Sequence, residues 1–141
     1  MIQILKWILI GSFFLLLAVD VISVYSSYVK IERALNQALD AGLVAGNQAY
    51  EAQLGFARMD LGKARDSARD VMRETLRLDS NFNSDSYRNS TLTVDLVYTN
   101  NNPRLEAVYS THIMIISGKL FGYDGIPITV AKKTPYLMEY K

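Results

Sequence analysis

The sequence predicts an α+β protein: a long N-terminal hydrophobic helix continuing into an amphipathic helix, packed on a small three- to four-stranded antiparallel sheet. Three observations carry this expectation. An apolar run opens the chain, a helical period of three and four persists through its middle, and an alternating period of two takes over near Thr91.

The opening run sets the architecture. From Trp7 to Val19 the chain reads WILIGSFFLLLAV without a charge, bounded by Lys6 and Asp20. Beyond Asp20 the apolar character resumes as VISVYSSYV and stops at Lys30. A membrane-crossing helix needs roughly 20 predominantly apolar residues. Ile2 to Val19 nearly meets that length when Lys6 snorkels to the headgroups. Trp7, Tyr25 and Tyr28 stand where an interfacial aromatic belt would place them. A cleaved signal peptide is a competing reading, but no small-x-small cleavage site follows cleanly, and Asp20 with its bulky neighbours occupies the expected place. A buried core helix of a soluble protein is the third. A retained anchor is favoured, with Lys6 and the amino terminus on the cytoplasmic side.

After Lys30 the segment IERALNQALDAGLVAGNQAYEAQL is rich in good helix formers. Ile31, Leu35, Ala38, Leu39 and Gly42 draw an apolar stripe. No proline precedes Pro103, so Gly42 and Gly46 are the expected bend or interruption. The small residues Ala41, Gly42, Ala45, Gly46 and Ala49 would let another helix approach closely. A second amphipathic stretch runs from Glu51 to Leu78, with Leu54, Ala57, Leu61, Ala64, Ala68, Val71, Thr75 and Leu78 on one face and Met72 and Leu76 widening it. Its charged face offers Asp66–Arg69 and Asp70–Arg73, pairs three apart that support a helix by roughly a few tenths of a kcal/mol. A solvated helix covering the sheet is favoured over a coiled-coil seam, because the run holds too few heptads.

The carboxy-terminal third changes period. DSNFNSDSYRNS reads as a polar loop. TLTVDLVYT alternates, with Leu92, Val94, Leu96 and Tyr98 on one face and Thr93, Asp95, Val97 and Thr99 on the other. NNNPR is a hairpin turn, LEAVYSTHIMIISG a second strand and KLFGYDG a turn-like connection. GIPITVAKK is a third strand, placed at an edge by Pro127. TPYLMEYK is a candidate fourth. A sheet this small needs a helix on one face, and the 51–78 stretch is the expected cover.

Composition restricts the chemistry. Of 141 residues, 50% are hydrophobic, which excludes a disordered chain. The 15 basic and 14 acidic residues nearly cancel, so no nucleic-acid partner is expected. With no cysteine and only His112 as histidine, thiolate chemistry, a histidine metal cluster and a standard catalytic triad lose their residues. His112 reads as a packed strand residue. Asp95 and Glu106 face each other across the expected hairpin, but two carboxylates alone do not make a glycosidase. Asn89-Ser90-Thr91 has glycosylation-acceptor spacing, and GYDG is a turn rather than a phosphate loop. Catalytic, metal and cofactor sites are therefore expected to be absent, and the protein is not expected to be an enzyme.

The plan of an apolar helix, an amphipathic continuation and a small antiparallel head resembles type IV pilin-like proteins, and more closely the TadE/TadG-like minor pilins of tight-adherence pilus systems. In that family the apolar helix ends in an aspartate with a tyrosine five residues on, matched here by Asp20 and Tyr25 in AVDVISVY. The family segment that follows is matched by Leu35, Ala38, Asp40, Ala41, Leu43 and Ala45 in ALNQALDAGLVAG. The resemblance covers about the first 50 residues. The gap between the two blocks is one helical turn longer, Asn36 stands in a glutamine slot, Gly42 replaces an alanine, and Leu5 stands where processed pilins carry glutamate.

What the resemblance implies is a structural subunit of an extracellular pilus-like filament. Residues 1–29 would form the transmembrane or filament-core helix, 30–50 a helical stalk and 51–141 an extracytoplasmic head. The membrane and assembly helix would use Lys6, Trp7, Phe13, Phe14, Leu17, Asp20, Tyr25 and Tyr28. Helix-helix packing would use Leu35, Ala38, Asp40, Ala41, Gly42, Ala45 and Gly46. Asp20 would either sit solvated among headgroups or pair with a cation on a neighbouring subunit. Lys6, about 21 Å away along the same helix, is such a cation when two copies stagger. Asp40 would lie at the surface, cap a helix restart or pair with a neighbour. The expected partners are copies of this chain or other pilin-like subunits, and membrane lipid before assembly. The alternatives are a membrane-anchored accessory assembly protein or an extracytoplasmic binding or sensing domain.

Overall fold

With no proline before Pro103, the helical signals of the first third are free to fuse, and they do. A computed structural model describes residues 1–47, 58–100 and 102–135. Its first element, α1, is one uninterrupted helix over Ile2–Gly46, about 68 Å long at 1.5 Å per residue. Gly42 lies inside it without a break, and the helix ends at Gly46, where Asn47 turns extended and bridges Met59. Asp40 is an exposed mid-helix residue, so it caps no restart.

The second helix, α2, spans Leu61–Leu76. Of the expected 51–78 stretch, residues 51–57, including Leu54 and Ala57, lie outside the described residues. Arg58–Asp60 are not helical: Met59 pairs with Asn47, and the Asp60 carboxylate caps α2 by accepting from the Lys63 N–H at 3.1 Å. At the other end Arg77 takes a left-handed conformation (φ 53°), and the Leu78 N–H returns to the Arg73 carbonyl at 2.9 Å. This is a Schellman-type stop with arginine in the position glycine usually fills, and it turns Leu78 into the core.

α2 packs antiparallel on the second half of α1. Ala64, Ala68, Met72 and Leu76 form its buried stripe, in steps of four, which leaves Thr75 exposed. Gly42 and Gly46 make the close approach possible. A Cβ at Gly42 would stand 2.8 Å from the Ala64 carbonyl oxygen, and one at Gly46 would stand 2.9 Å from the Ala64 Cβ. Gly42 and Gly46 of the small-residue patch thus pack on the chain's own second helix, while Ala45 is exposed and Ala49 lies outside the described residues. Two arginines of α2 reach beyond their own helix, one of them Arg69 of the expected Asp66–Arg69 pair. Arg65 donates to the Val94 carbonyl at 3.0 Å, and Arg69 lies over the Phe82 ring at 4.9 Å.

Three antiparallel strands form a meander with β2 in the centre: β1 (Tyr87–Thr99), β2 (Asn102–Ile113) and β3 (Ile126–Lys133). β1 starts four residues before the expected strand, and a bulge between Arg88 and Thr91 accommodates Asn89 at φ 51°. Tyr98, on the face expected to be shared with Val94, is exposed while Val94 is buried. Pro103, expected in the turn, is a buried member of β2 opposite Tyr98. β3 lies at the edge, where Pro127 opposes His112 and no ladder donor is missed. The expected second strand stops at Ile113; part of its remainder and of the expected turn forms a short helix, α3 (Ile116–Phe121), closed by Gly122 at φ 76°. Past β3, Thr134 continues the pairing by exchanging hydrogen bonds with Leu105. Residues 136–141, which include most of the candidate fourth strand, lie outside the described residues.

The sheet's inward face is Leu105, Ala107, Tyr109 and Ile113 of β2, flanked by Val94 and Val130. Its cover is shared, with α1 over β2 and β3 and α2 over β1. All five residues of the expected α1 stripe, Ile31, Leu35, Ala38, Leu39 and Gly42, are buried in this core. Within the expected stalk, the stripe of residues 31–46 packs into this core. Lys132 and Glu32 pair across α1 and β3 at the rim.

Candidate functional site

Among the described residues, the N-terminal half of α1 has no tertiary partner over most of its length. Lys6, Trp7, Phe13 and Phe14 are exposed, the two phenylalanine rings standing edge to face at 6.4 Å. Leu17 also remains exposed. The helix is long and apolar enough to cross a membrane, and that is a statement of its length and composition. In water such a surface would be driven together with any other apolar surface available.

Asp20 marks where the head begins. Only 5% of its surface is exposed. Its Oδ1 accepts from the Ile116 N–H at 2.9 Å and its Oδ2 from the Ser117 N–H at 3.2 Å. The first-turn N–H groups of a helix have no internal acceptors, and a carboxylate there satisfies them while meeting the positive end of the backbone dipoles. Asp20 therefore neither lies free among solvated groups nor waits for a cation. It is the cap of α3, supplied from 96 positions earlier. Lys6, its expected counter-ion on a neighbour, is exposed.

Around this clamp runs an apolar groove of about 470 Å³, walled by Leu17, Val21, Tyr25 and Tyr28 of α1 and by Ile115 and Ile126. Tyr25 and Tyr28 thus stand on the groove's wall as well as on the helix surface. Of the packing set, Leu35, Ala38, Gly42 and Gly46 are buried, Ala41 is half-buried, and Asp40 and Ala45 are exposed.

The head's polar residues are arranged as structure. Asp95 and Glu106 are direct cross-strand neighbours, and Glu106 meets Arg104 at 2.6 Å and Lys133 at 3.5 Å, so the carboxylate faces cations. His112 is half-buried in β2, between Arg88 and Pro127, with Nδ1 lacking a hydrogen-bond partner among the described residues. Among the described residues no group of three His, Asp or Glu side chains could hold a metal ion. The Asn89-Ser90-Thr91 motif sits in the β1 bulge. Ser90 Oγ accepts from the Tyr109 hydroxyl at 3.0 Å and shares a 2.8 Å bond with Thr111. Burial pushes the Tyr87 and Tyr109 phenols above their ordinary range.

Sequence reasoning missed α3. Its exposed residues Ile116, Leu120 and Phe121, with Tyr123 beyond, were read as the end of a strand and a turn. A signal existed in the spacing of Ile116, Leu120 and Phe121, four and five apart, just ahead of Gly122. The Asp20 contact had no local signal at all.

Compared with known proteins, the chain matches no family model, no curated protein and no solved structure.

Proposed function

We propose that this protein is a membrane-anchored structural subunit of a pilus-like extracellular filament, assembling through the N-terminal half of α1. One observation carries the reading: a single helix buries its C-terminal half in a folded head and leaves its apolar N-terminal half largely exposed among the described residues. A free apolar surface of this length has two stable environments, lipid or other apolar helices. The filament reading uses both in turn, lipid before assembly and neighbouring copies after it. Head-to-tail packing of one surface on a different surface of the next copy gives an open helix rather than a closed ring. The sequence resemblance to TadE/TadG-like pilins, through Asp20, Tyr25 and the Leu35–Ala45 block, supports the same reading.

Shearing cells that express the protein and imaging the released material by negative-stain electron microscopy with an antibody label tests it. Labelled filaments are the expected result. Protein that stays wholly in the membrane fraction, with no labelled filament, overturns the subunit reading in favour of an anchored accessory or sensing protein.

A further inference from the structure

We propose that α3 and the turn after it dip into the outer lipid surface, giving the head a second membrane contact beside the spanning helix. The inference rests on the anchor reading above and adds a residue-level contact to it.

The argument begins with levels. Ile2–Val19 is 18 residues, about 27 Å of helix, against a hydrocarbon core of roughly 30 Å. Asp20 therefore emerges at the outer boundary of the hydrocarbon. Because Asp20 caps α3 through the Ile116 and Ser117 N–H groups, α3 starts at that same level. It also reaches below it. Leu16, one turn before Asp20, is half-buried, whereas Phe14 and Leu15 just before it are 66% and 69% exposed. The apolar groove likewise extends down to Leu17.

The chemistry of the segment suits that depth. Ile116, Leu120, Phe121 and Tyr123 are 50%, 67%, 65% and 70% exposed, a run of large apolar side chains facing away from the protein. From Ile115 to Tyr123 the only charge is Lys119, a cation with a stem long enough to reach phosphate headgroups. Phenylalanine and tyrosine favour the zone between acyl chains and headgroups. Asp20 has both carboxylate oxygens engaged, so its charge is not left bare against lipid, and Asp124, the exposed acid just beyond Tyr123, ends the inserted segment at the headgroups. A lipid surface is the occupant that meets α3 in every anchored monomer, whereas a second copy would meet it only after assembly.

The test uses the full chain in phosphatidylcholine–phosphatidylglycerol vesicles. Trp7 is the protein's one tryptophan, so the parent reports on the span and a Trp7→Phe/Phe121→Trp double variant reports on α3. Position 121 is exposed, so the second exchange leaves the core untouched. The expected result is that the indole at position 121 shifts its emission to the blue, loses fluorescence to brominated lipid and resists acrylamide. If it is quenched by acrylamide and untouched by brominated lipid while Trp7 is lipid-quenched, the second contact is overturned and the anchor stands. If Trp7 itself escapes lipid quenching, both fall. If the indole at 121 resists both quenchers and becomes acrylamide-sensitive on dilution into excess lipid, a second copy covers α3 and the proposal is overturned.

Discussion

The two halves of α1 are both helical and both carry apolar side chains, and they meet opposite fates. Ile2–Val19 carries isoleucine, leucine and phenylalanine all the way round, and the head buries almost none of it. Ile31–Gly46 concentrates its apolar residues on one stripe, carries Arg33, Asn36, Gln37 and Asp40 elsewhere, and is built into the core. Hydrophobicity is greater in the half that finds no protein partner. What decides burial is pattern: a stripe specifies one facing surface, while an apolar belt suits an environment that surrounds it.

That contrast breaks most visibly by removing volume. Leu35→Ala should cost the head about 2–5 kcal/mol, because Leu35 is fully enclosed. Leu9→Ala, on the exposed half, should leave head stability within about 0.5 kcal/mol. Chemical unfolding of the detergent-solubilised full chain, followed through the sheet's signal, checks both. Equal losses would mean that the apolar half is part of the folded core after all.

Adding volume sharpens the same comparison. Gly42→Ala places a Cβ 2.8 Å from the backbone oxygen of Ala64, which cannot rotate away, and should destabilise by about 1–3 kcal/mol. Gly11→Ala meets nothing within 4 Å and should be neutral or slightly stabilising for its helix. A thermal-melt pair of these variants decides it.

The boundary between the halves is the next test. Asp20→Ala removes the acceptor for two N–H groups of α3, a loss of about 0.5–2 kcal/mol on the scale of other helix caps. Hydrogen exchange should show faster exchange at Ile116 and Ser117 with core protection retained. Unchanged exchange at those two amides would show that the clamp does not hold α3.

The smallest effect near neutral pH concerns the buried phenols. Tyr87 and Tyr109 have raised folded-state values, so the folded head favours their neutral forms. Their contribution is fully present below the unfolded value of about 10 and is lost as pH rises from there through the higher folded values. Melting temperature should therefore fall above about pH 10, and Tyr109→Phe should flatten that fall while costing its bond to Ser90.

Much of this was legible from local pattern. The charge-free run, the Ile31–Gly42 stripe, the small-residue patch and the edge strand with Pro127 each express a period or a residue type that acts locally. The misses share a cause too. In α2 the sequence offers overlapping stripes that share Ala64 and Ala68, one continuing through Thr75 and one through Met72 and Leu76, and it is tertiary packing that buries the second and leaves Thr75 exposed. Ile115 and Ile116 read as strand by propensity, yet the distant Asp20 carboxylate holds the first N–H groups of α3 and Gly122 closes it. Tyr87–Ser90 read as loop by composition, but pairing with β2 extends β1 through them around a bulge. A cap supplied from 96 positions away is invisible to any window of sequence.

The continuity of α1 has a consequence for orientation. Between Asp20 and Gly42 there is neither glycine nor proline, and the helix passes from unburied to buried without interruption. The two halves are therefore geared. Each residue advances the helix by about 100°, so which side of the apolar half lies beneath α3 and which beneath the open sheet face is set by residue count alone. Whatever grips Ile2–Val19, lipid or a neighbouring helix, also sets the compass bearing of the head.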